Sequence, residues 1–370
     1  MSPVDPQERP NPHPHALAVC GYSGSGKTTL LVELIEALSP EHRIGYVKHD
    51  AHGFQMDRPG KDTARAVAAG AVDILINDAG RSARISARPL GLFDAAFTLL
   101  DCDWVFVEGY KHSDLPKILV LDREGRAERE WRDGRFRNVQ ACVGGSSPEE
   151  VPVPLFPRDD VDGITEFIRT FWREAAAAVP LYGLVLAGGG PLALDVHRLH
   201  RLHRLVSAHC DAAFLSVRPD QADEEAFDGV PRIEDRFLGL GPTGRILSAM
   251  QEHPGAAWLV VTCDLPFIDD ACILRLLAHR SPFRFATAYT SPHDGLPEPL
   301  CAVYEPKSRL RLLQAVGLGH RCPRKMLMSA EIELVTNENQ WRAPHTLPRD
   351  IPDTAVGPHS LPFHRPKGPQ

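Results

Sequence analysis

Short apolar runs alternate along the chain with segments in which apolar residues recur every three to four positions. The first pattern predicts buried strands and the second predicts amphipathic helices. In the first half the predicted strands are residues 16–20, 43–49, 72–78, 103–110 and 117–122, and in the second half they are 181–190, 212–218, 256–264 and 299–306. Strands that alternate with helices are typical of α/β units with mainly parallel sheets, so the sequence predicts two such units.

The segments around these two units have a different composition. Residues 1–15 carry five prolines and residues 342–370 carry seven, with few large apolar groups to offset the entropy of ordering. An alanine run ending at Pro180 follows a predicted amphipathic helix and precedes a new strand. We therefore expect a disordered tail (1–15), a first domain (16–173), a linker (174–180), a second domain (181–341) and a proline-rich tail (342–370).

Composition and charge narrow the classes of function. Lysine and arginine number 41 against 48 aspartates and glutamates, so the formal net charge is −7 and there is no general basic field for nucleic acid. No stretch approaches the roughly 20 apolar residues that span a bilayer, and the N-terminus is polar, so we expect a cytoplasmic protein without a membrane partner. The eight cysteines are scattered without a C-x-x-C pair, which favours buried thiols over structural zinc.

The strongest chemical signal is a glycine-rich loop between a predicted strand and a predicted helix. Residues 21–28 (GYSGSGKT) fit the pattern G-x-x-x-x-G-K-[ST], in which backbone amides and a helix N-terminus surround phosphates. The lysine reaches the β- and γ-phosphates and the threonine hydroxyl binds Mg²⁺. The expected nucleotide contacts are Gly21, Ser23, Gly24, Ser25, Gly26, Lys27, Thr28 and Thr29, with Thr28 also a metal ligand.

Further polar residues fall near the carboxyl ends of predicted strands, where open α/β sheets bind ligands. Lys48, His49 and Asp62 are candidate nucleotide contacts, although a solvated loop explains them as well. Glu108 ends the apolar run WVFV. A carboxylate there either holds Mg²⁺ or its water, as in a Walker-B motif, or serves as a structural cap.

Taken in order, several segments of the first half resemble a known family. They are GYSGSGKTTL, VKHDAHGF, DRPGKDTARAVAAGA, DWVFVEGYKH and PKI, and they span nearly all of residues 16–173. The family is the GTP-binding adaptor of molybdopterin-guanine dinucleotide synthesis (MobB type). The resemblance implies binding of GTP with Mg²⁺, a weak or absent GTPase activity, homodimerisation through the first domain, and service to the guanylyltransferase of the pathway.

The second half carries a weaker glycine-rich turn and a second resemblance. Residues 186–190 (LAGGG) follow a buried strand and can present amides to a nucleotide, as can an ordinary turn with no ligand. The segments SVRPDQ, EDRFLGLGPTGRILSAM, VVTCDLPFI, EPLCAVYEP and TNEN resemble the molybdenum cofactor guanylyltransferase (MobA type). That resemblance implies transfer of GMP from GTP to molybdopterin with release of pyrophosphate, and nucleotide contacts from Leu186, Ala187, Gly188, Gly189 and Asp235.

Asp264 is the candidate catalytic carboxylate of the second half. It ends the strand WLVVTCD, where Mg²⁺ is expected to bridge a triphosphate, although a helix N-cap before Pro266 is an alternative role.

The second half also departs from its family. The family continues after L-A-G-G with a serine, an Arg-Met-Gly and an Asp-Lys, whereas this chain runs from Gly190 directly into PLALDVHRLHRL. The nearest substitute cations are Arg198, Arg201, Arg204 and Arg245. Losing a transition-state donor costs roughly 10²–10³ in rate, so catalytic competence stays open.

Two functions therefore remain, both with an α/β fold of two doubly wound, mainly parallel sheets, P-loop NTPase-like and then nucleotidyltransferase Rossmann-like. One is a GTP-binding adaptor fused to a guanylyltransferase-like domain that acts on molybdopterin. The alternative is a non-catalytic adaptor whose second domain only binds the molybdenum cofactor or a partner, such as a separate guanylyltransferase or a molybdoenzyme chaperone. A P-loop kinase for a small metabolite is disfavoured because no lid or acceptor motif is recognisable.

Overall fold

The computed structural model describes residues 15–49, 60–86, 90–145, 152–187, 196–221, 227, 229–263, 265 and 268–336. The chain divides into two compact units, Met1–Glu174 and Ala175–Gln370. Apart from His15, the two tails expected at the termini lie outside the described residues.

The first unit is built around a parallel sheet. Its strands are β1 (Ala16–Cys20), β2 (Ile44–Lys48), β3 (Asp73–Asn77), β4 (Ser82–Ser86), β5 (Trp104–Glu108), β6 (Lys117–Val120), β7 (Val139–Val143) and β8 (Leu155–Phe156). Its helices are α1 (Lys27–Leu38), α2 (Asp62–Ala68), α3 (Leu92–Thr98), α4 (Arg126–Arg132) and α5 (Val161–Ala177). Six strands pair in the order β2-β5-β1-β6-β7-β8, all parallel. Every residue of β1 and β5 is buried, as expected for central strands of a parallel sheet.

The predicted strand at 72–78 does not join this sheet. β3 pairs antiparallel with β4, a strand that the sequence analysis missed, in a separate two-stranded sheet. The Asp78 carboxylate accepts hydrogen bonds from the amides of Gly80 (2.7 Å) and Arg81 (2.9 Å), which closes a tight turn between the two strands. A local hairpin therefore forms where a long crossover into the parallel sheet was expected.

Helix α5 extends into the segment expected to be a linker. It continues to Ala177, and the division between the units falls at Glu174 and Ala175, inside this helix. Alanine has the highest intrinsic helix propensity, so the alanine run prolongs the helix that precedes it.

The second unit has a seven-stranded mixed sheet. Its strands are β9 (Leu181–Leu186), β10 (Ala212–Val217), β11 (Arg232–Glu234), β12 (Ala257–Thr262), β13 (Ala286–Thr290), β14 (Pro297–Tyr304) and β15 (Glu333–Val335). Its helices are α6 (Val196–Ser207), α7 (Pro242–Glu252), α8 (Asp270–Ala278), α9 (Ser308–Gly317) and α10 (Pro323–Met328). The order is β11-β10-β9-β12-β14-β13-β15, and only β14 runs antiparallel to its neighbours. The predicted α/β class with mainly parallel sheets is confirmed.

The HRLHRLHRL run forms α6, as its three-residue leucine spacing predicts. Leu199 and Leu202 are buried in the core of the second unit, and Leu205 packs against that core. Arg201 and Arg204 are exposed on this helix. The apolar face of α6 covers one side of β9, so its exposed arginines lie away from the sheet.

We predict that Gly183→Ala destabilises the second unit. A Cβ at Gly183, in the middle of β9, would lie 2.1 Å from Cγ1 of Val206 on α6. Overpacking of this kind costs about 1–3 kcal/mol, which urea unfolding of the full chain measures. Gly255→Ala is the control, because a Cβ there meets no atom within 4 Å. Equal unfolding free energies for the two variants would contradict the prediction.

Candidate functional site

The glycine-rich loop follows β1 and leads directly into α1, which begins at Lys27. A Cβ at Gly21 would lie 2.5 Å from the carbonyl oxygen of Val120, so a side chain at this position would collide with β6. Gly26 has a φ of 85° immediately before the helix, a conformation that glycine adopts without strain. The glycines thus allow the loop to fold closely over the end of the sheet with its amides ahead of a helix N-terminus.

A cavity of about 940 Å³ opens above this loop at the carboxyl ends of β1, β2 and β5. It is lined by loop residues, by Lys48 and His49 after β2, and by residues 108–113 after β5. Nine predicted nucleotide contacts and Glu108 therefore surround one space: Gly21, Ser23, Gly24, Gly26, Lys27, Thr28, Thr29, Lys48 and His49. Ser25 is 5% exposed and lines a neighbouring cavity instead.

Asp62 is the predicted contact that the structure places elsewhere. It begins α2, its side chain is fully exposed, and its carboxylate lies 3.8 Å from the guanidinium of Arg65. Among the described residues it is not part of the cavity lining. The sequence predicts Asp62 near a strand end and therefore near the phosphate loop. In the structure α2 begins at Asp62 and presents its side chain to solvent instead.

The carboxylate of Glu108 connects three elements at the edge of the cavity. The Thr28 hydroxyl on α1 donates to it with both oxygen distances at 3.0 Å, and the Tyr46 hydroxyl on β2 donates to Oε2 at 2.5 Å. The Lys48 ammonium lies 3.8 Å from Oε1. Because Glu108 is only 7% exposed, these partners compensate a charge that burial would otherwise penalise.

Tyr46 is a partner of Glu108 that sequence reasoning missed. Tyr46 and Lys48 are two positions apart on β2, so their side chains point to the same face, and β2 pairs with β5 so that Lys48 lies opposite Glu108. Burial, followed by the hydrogen bond to Glu108, raises the pKa of Tyr46, which keeps its proton for donation. The alternation of side chains along β2 places Tyr46 on the same face as Lys48. It indicates a contact of Tyr46 with Glu108 only once the pairing of β2 with β5 is known.

Three lysines converge on the cavity. The Lys27 ammonium donates to the carbonyl of Tyr22 at 2.6 Å, and Lys111 lies over the Tyr22 ring, 4.0 Å from its centre. Partial burial lowers the pKa of Lys27, and Glu108 opposes that effect. With Lys48 these groups give the cavity an excess of positive charge, which suits a polyphosphate.

The donor set fits Mg²⁺ bound together with a phosphate ligand. In the described part of the chain, no group of three or more His, Cys, Asp or Glu side chains is arranged to hold a metal. The Thr28 hydroxyl and the Glu108 carboxylate are nevertheless adjacent oxygen donors. Mg²⁺ is usually held by one or two protein oxygens, substrate phosphates and water, so this pair is sufficient for that mode.

In the second unit a buried ion pair lies at the ends of three strands. Asp235, which follows β11 and is 8% exposed, accepts a hydrogen bond from the Ser216 hydroxyl of β10 at 2.8 Å. Nε of Arg245 lies 3.3 Å from the second oxygen of Asp235, and another nitrogen of that guanidinium donates to the Ala187 carbonyl after β9. Burial raises the pKa of Asp235, against the lowering effects of Ser216 and Arg245.

The structure describes some of the remaining residues predicted for the second site, and the others lie outside the described residues. Leu186 and Ala187 are buried at the end of β9. Gly188, Gly189 and Asp264 lie outside the described residues. Arg245 is the cation that the structure brings to the end of β9, while Arg201 and Arg204 are exposed on α6.

Two further expectations concern the cysteines and the membrane. All eight cysteines are thiols; Cys20, Cys142, Cys272 and Cys301 are buried and the others are half-buried. No helix in the described segments is both long and apolar enough to cross a membrane.

Comparison with known families assigns both halves of the chain. Residues 16–144 match the family described as molybdopterin guanine dinucleotide synthesis protein B, or MobB. Residues 195–334 match the MobA-like NTP transferase domain. Both resemblances drawn from the sequence are confirmed.

Two individual relatives and one solved structure are similar to parts of the chain. The chain is 31% identical over 181 residues to a molybdenum cofactor biosynthesis bifunctional protein of Synechocystis sp., covering 46% of this chain and 52%, or about half, of that relative. It is 35% identical over 159 residues to a molybdopterin-guanine dinucleotide biosynthesis adapter protein of Escherichia coli, covering 41% of this chain and 90% of that protein. The crystal structure of Bacillus subtilis MobB aligns with a TM-score of 0.36 and 25% identity, covering 42% of this chain and 96% of that one.

We predict that Tyr46→Phe weakens Mg²⁺-dependent binding of a nucleoside triphosphate. The variant keeps the ring but removes the hydrogen bond that orients Glu108. Loss of about 1 kcal/mol raises the Mg²⁺ concentration for half-maximal binding roughly fivefold, which calorimetry at varied Mg²⁺ measures. Tyr182→Phe, in β9 of the second unit, is the control. An unchanged Mg²⁺ requirement in Tyr46→Phe would contradict the assigned role.

Proposed function

Because the chain belongs to the family of molybdopterin-guanine dinucleotide biosynthesis adapter proteins and joins that region to a MobA-like NTP transferase domain, we propose that its first unit binds GTP with Mg²⁺ and serves guanylyl transfer to molybdopterin. The proposed location is the cytoplasm, where GTP is available. The observation that carries the proposal is the contact between Thr28 and Glu108 beside the phosphate loop.

Each polar group of the first site has a defined role in this proposal. The loop amides and the N-terminus of α1 receive the phosphates, and Lys27 leaves the Tyr22 carbonyl to contact the β- and γ-phosphates. The Thr28 hydroxyl would leave Glu108 and hold Mg²⁺, which would supply positive charge against the phosphates. Glu108, still oriented by Tyr46, would hold water of the metal.

Lys48 and Lys111 supply further positive charge to the same phosphates. Lys48 lies beside Glu108, and Lys111 is held over the ring of Tyr22. These contacts bind and shield the triphosphate, and the proposed adapter hydrolyses GTP weakly or not at all.

The second unit is proposed to contribute the guanylyltransferase-like part. The turn beginning at Leu186 and Ala187, together with Asp235, would receive GTP, and Asp264 would bind Mg²⁺. Arg245 supports the alternative of binding without efficient transfer, because it engages Asp235 and the Ala187 carbonyl at once. A guanidinium held in this way is poorly free to follow charge that develops on a transferring phosphoryl group.

The first unit is also proposed to form a homodimer through the β3–β4 hairpin. Leu75 and Ile76 of β3 are 70% and 53% exposed, and the neighbouring Val72 is 56% exposed. Because side chains alternate along a strand, Leu75 lies on one face of the hairpin and Ile76 on the other. An isolated two-stranded sheet is marginally stable in water, so a second copy that covers the Leu75 face would stabilise it. The same patch on both copies suits a twofold interface. Molybdopterin and a separate guanylyltransferase or molybdoenzyme chaperone are the other proposed partners.

We predict that Lys27→Ala severely weakens GTP binding at the first site. Loss of a charge-assisted contact worth about 1.5–3 kcal/mol weakens affinity roughly 10–100-fold in calorimetric titrations of the full chain with Mg²⁺. Lys61→Ala is the control, since Lys61 is an exposed lysine before α2. GTP affinity that is the same in both variants would exclude the phosphate loop as the GTP site.

We predict that Leu75→Glu converts the dimer to a monomer. A charge on the hairpin face would have to be buried without a partner in the dimer. Leu318→Glu in the second unit is a matched control, because Leu318 is 71% exposed and Leu75 is 70% exposed. Sedimentation of the full chain should show dimers for the control and monomers for Leu75→Glu. A wild-type chain that sediments as a monomer would refute the proposal.

We predict slow or undetectable GMP transfer by the full chain incubated with GTP, Mg²⁺ and molybdopterin. Guanine dinucleotide and pyrophosphate are the products to detect. Insertion of the family's Arg-Met-Gly and Asp-Lys segment between Gly190 and Leu192 should raise turnover, because it adds cations that act on the transition state. Turnover of the unmodified chain at the ordinary rate of roughly 1–10³ s⁻¹, abolished by Asp264→Ala, would contradict this prediction.

A further inference from the structure

A second cavity of about 600 Å³ adjoins the phosphate loop of the first unit. It shares Ser23, Gly24 and Gly26 with the phosphate cavity. The other residues that line it are Tyr22 and Ser25 of the loop, four residues after β6 and one after β8: Asp122, Arg123, Glu124, Arg126 and Arg158. In the sheet, β6 flanks β1 on the side opposite β5. The two cavities therefore lie on the two sides of one loop, with Glu108 on one side and the residues after β6 on the other.

A nucleoside triphosphate bound at Lys27 and Thr28 has to place its base beyond the loop. The volume of the second cavity falls within the range of about 300–1,000 Å³ typical of small-molecule sites. Because Ser23, Gly24 and Gly26 line both cavities, the two spaces meet at the phosphate loop.

The charges of the second cavity suit a neutral polar group better than another phosphate. Four of its five charged side chains already have partners. Arg158 donates to the carbonyls of Ser25 and Leu121, and the Asp122 carboxylate accepts from two amides at the start of α4. Arg126 and Glu124 pair with each other at 2.5 Å. With three arginines against two carboxylates, this lining has a smaller excess of positive charge than the phosphate cavity, where three lysines face Glu108.

The Glu124–Arg126 pair is complementary to one purine in particular. Guanine carries an N1–H and an amino group that a carboxylate accepts together, beside an O6 that a guanidinium donates to. Adenine presents an unprotonated N1 and an amino donor instead, so it cannot satisfy both groups. Arg126 lies over the ring of Tyr22, 5.0 Å from its centre, which keeps the guanidinium beside another residue of the same cavity.

We propose that this second cavity holds the guanine base of the nucleotide, with Glu124 accepting from N1–H and the amino group and Arg126 donating to O6. This inference rests on the proposed binding of GTP at Lys27 and adds the residues that select its base. The preference for guanine comes from the hydrogen bonds that its N1–H, amino group and O6 make with this pair and that adenine cannot make.

The test is a calorimetric titration of the full chain with GTP, ITP and ATP in the presence of Mg²⁺. ITP differs from GTP only by lacking the amino group that Glu124 would accept from. Subtracting the titration of Lys27→Ala isolates the first site from any nucleotide bound by the second unit. Glu124→Gln is the test variant, and Glu128→Gln is the matched control because it also breaks an ion pair of this region, 2.7 Å to Arg132, outside the cavity.

The proposal predicts that the Lys27-dependent site prefers GTP over ITP and ATP by roughly tenfold or more. Glu124→Gln should remove most of that preference by lowering GTP affinity while ATP affinity stays the same, and Glu128→Gln should keep it. A preference for GTP that survives Glu124→Gln, or equal affinities for all three nucleotides in the wild-type chain, overturns the base assignment alone. If Lys27→Ala changes none of the titrations, so that no nucleotide binding depends on Lys27, the proposed function and this inference are overturned together.

Discussion

The need to compensate one buried carboxylate organises the first unit. Glu108 ends a central strand at 7% exposure, and its charge is met by Thr28 from α1 and by Tyr46 and Lys48 from β2. A buried charge without partners is strongly unfavourable, so these three elements are held to the same end of the sheet. Two of the partners are hydroxyls, which exchange one oxygen partner for another at low cost. The arrangement that stabilises the fold is thereby also suited to receive a metal and a phosphate chain.

The second unit also compensates a buried carboxylate, but there a guanidinium joins a hydroxyl group as its partner. Asp235 is also buried, but its charge is met by the guanidinium of Arg245, which is tied to a backbone carbonyl as well. Breaking a buried pair by removing one partner is costly, since the other charge is left uncompensated. The first site therefore has exchangeable partners, while the second has a fixed pair, and this contrast underlies the different activities proposed for the two units.

The features predictable from the sequence are those that depend on local pattern. The phosphate loop, the central strands and the leucine face of α6 follow from glycine positions and apolar spacing alone. The β4 strand (SARIS) is too short and polar for its apolar pattern to predict a strand. The alanine run before Pro180 predicts a linker, but α5 continues into it as far as Ala177. The roles of Tyr46 and Arg245 depend on contacts with residues 62 and 10 positions away, which only the folded chain brings together.

The proposed function requires that the Thr28 hydroxyl exchange the Glu108 carboxylate for the metal of a bound nucleotide. A crystal structure of the full chain with a non-hydrolysable GTP analogue and Mn²⁺ tests it directly, because anomalous scattering locates the metal. We expect the metal to bind the Thr28 hydroxyl and the Lys27 ammonium to contact the phosphates. We expect Glu108 to accept a hydrogen bond from a metal-bound water while it keeps its hydrogen bond from Tyr46. A bound analogue with the Thr28–Glu108 contact intact and the metal elsewhere would contradict it.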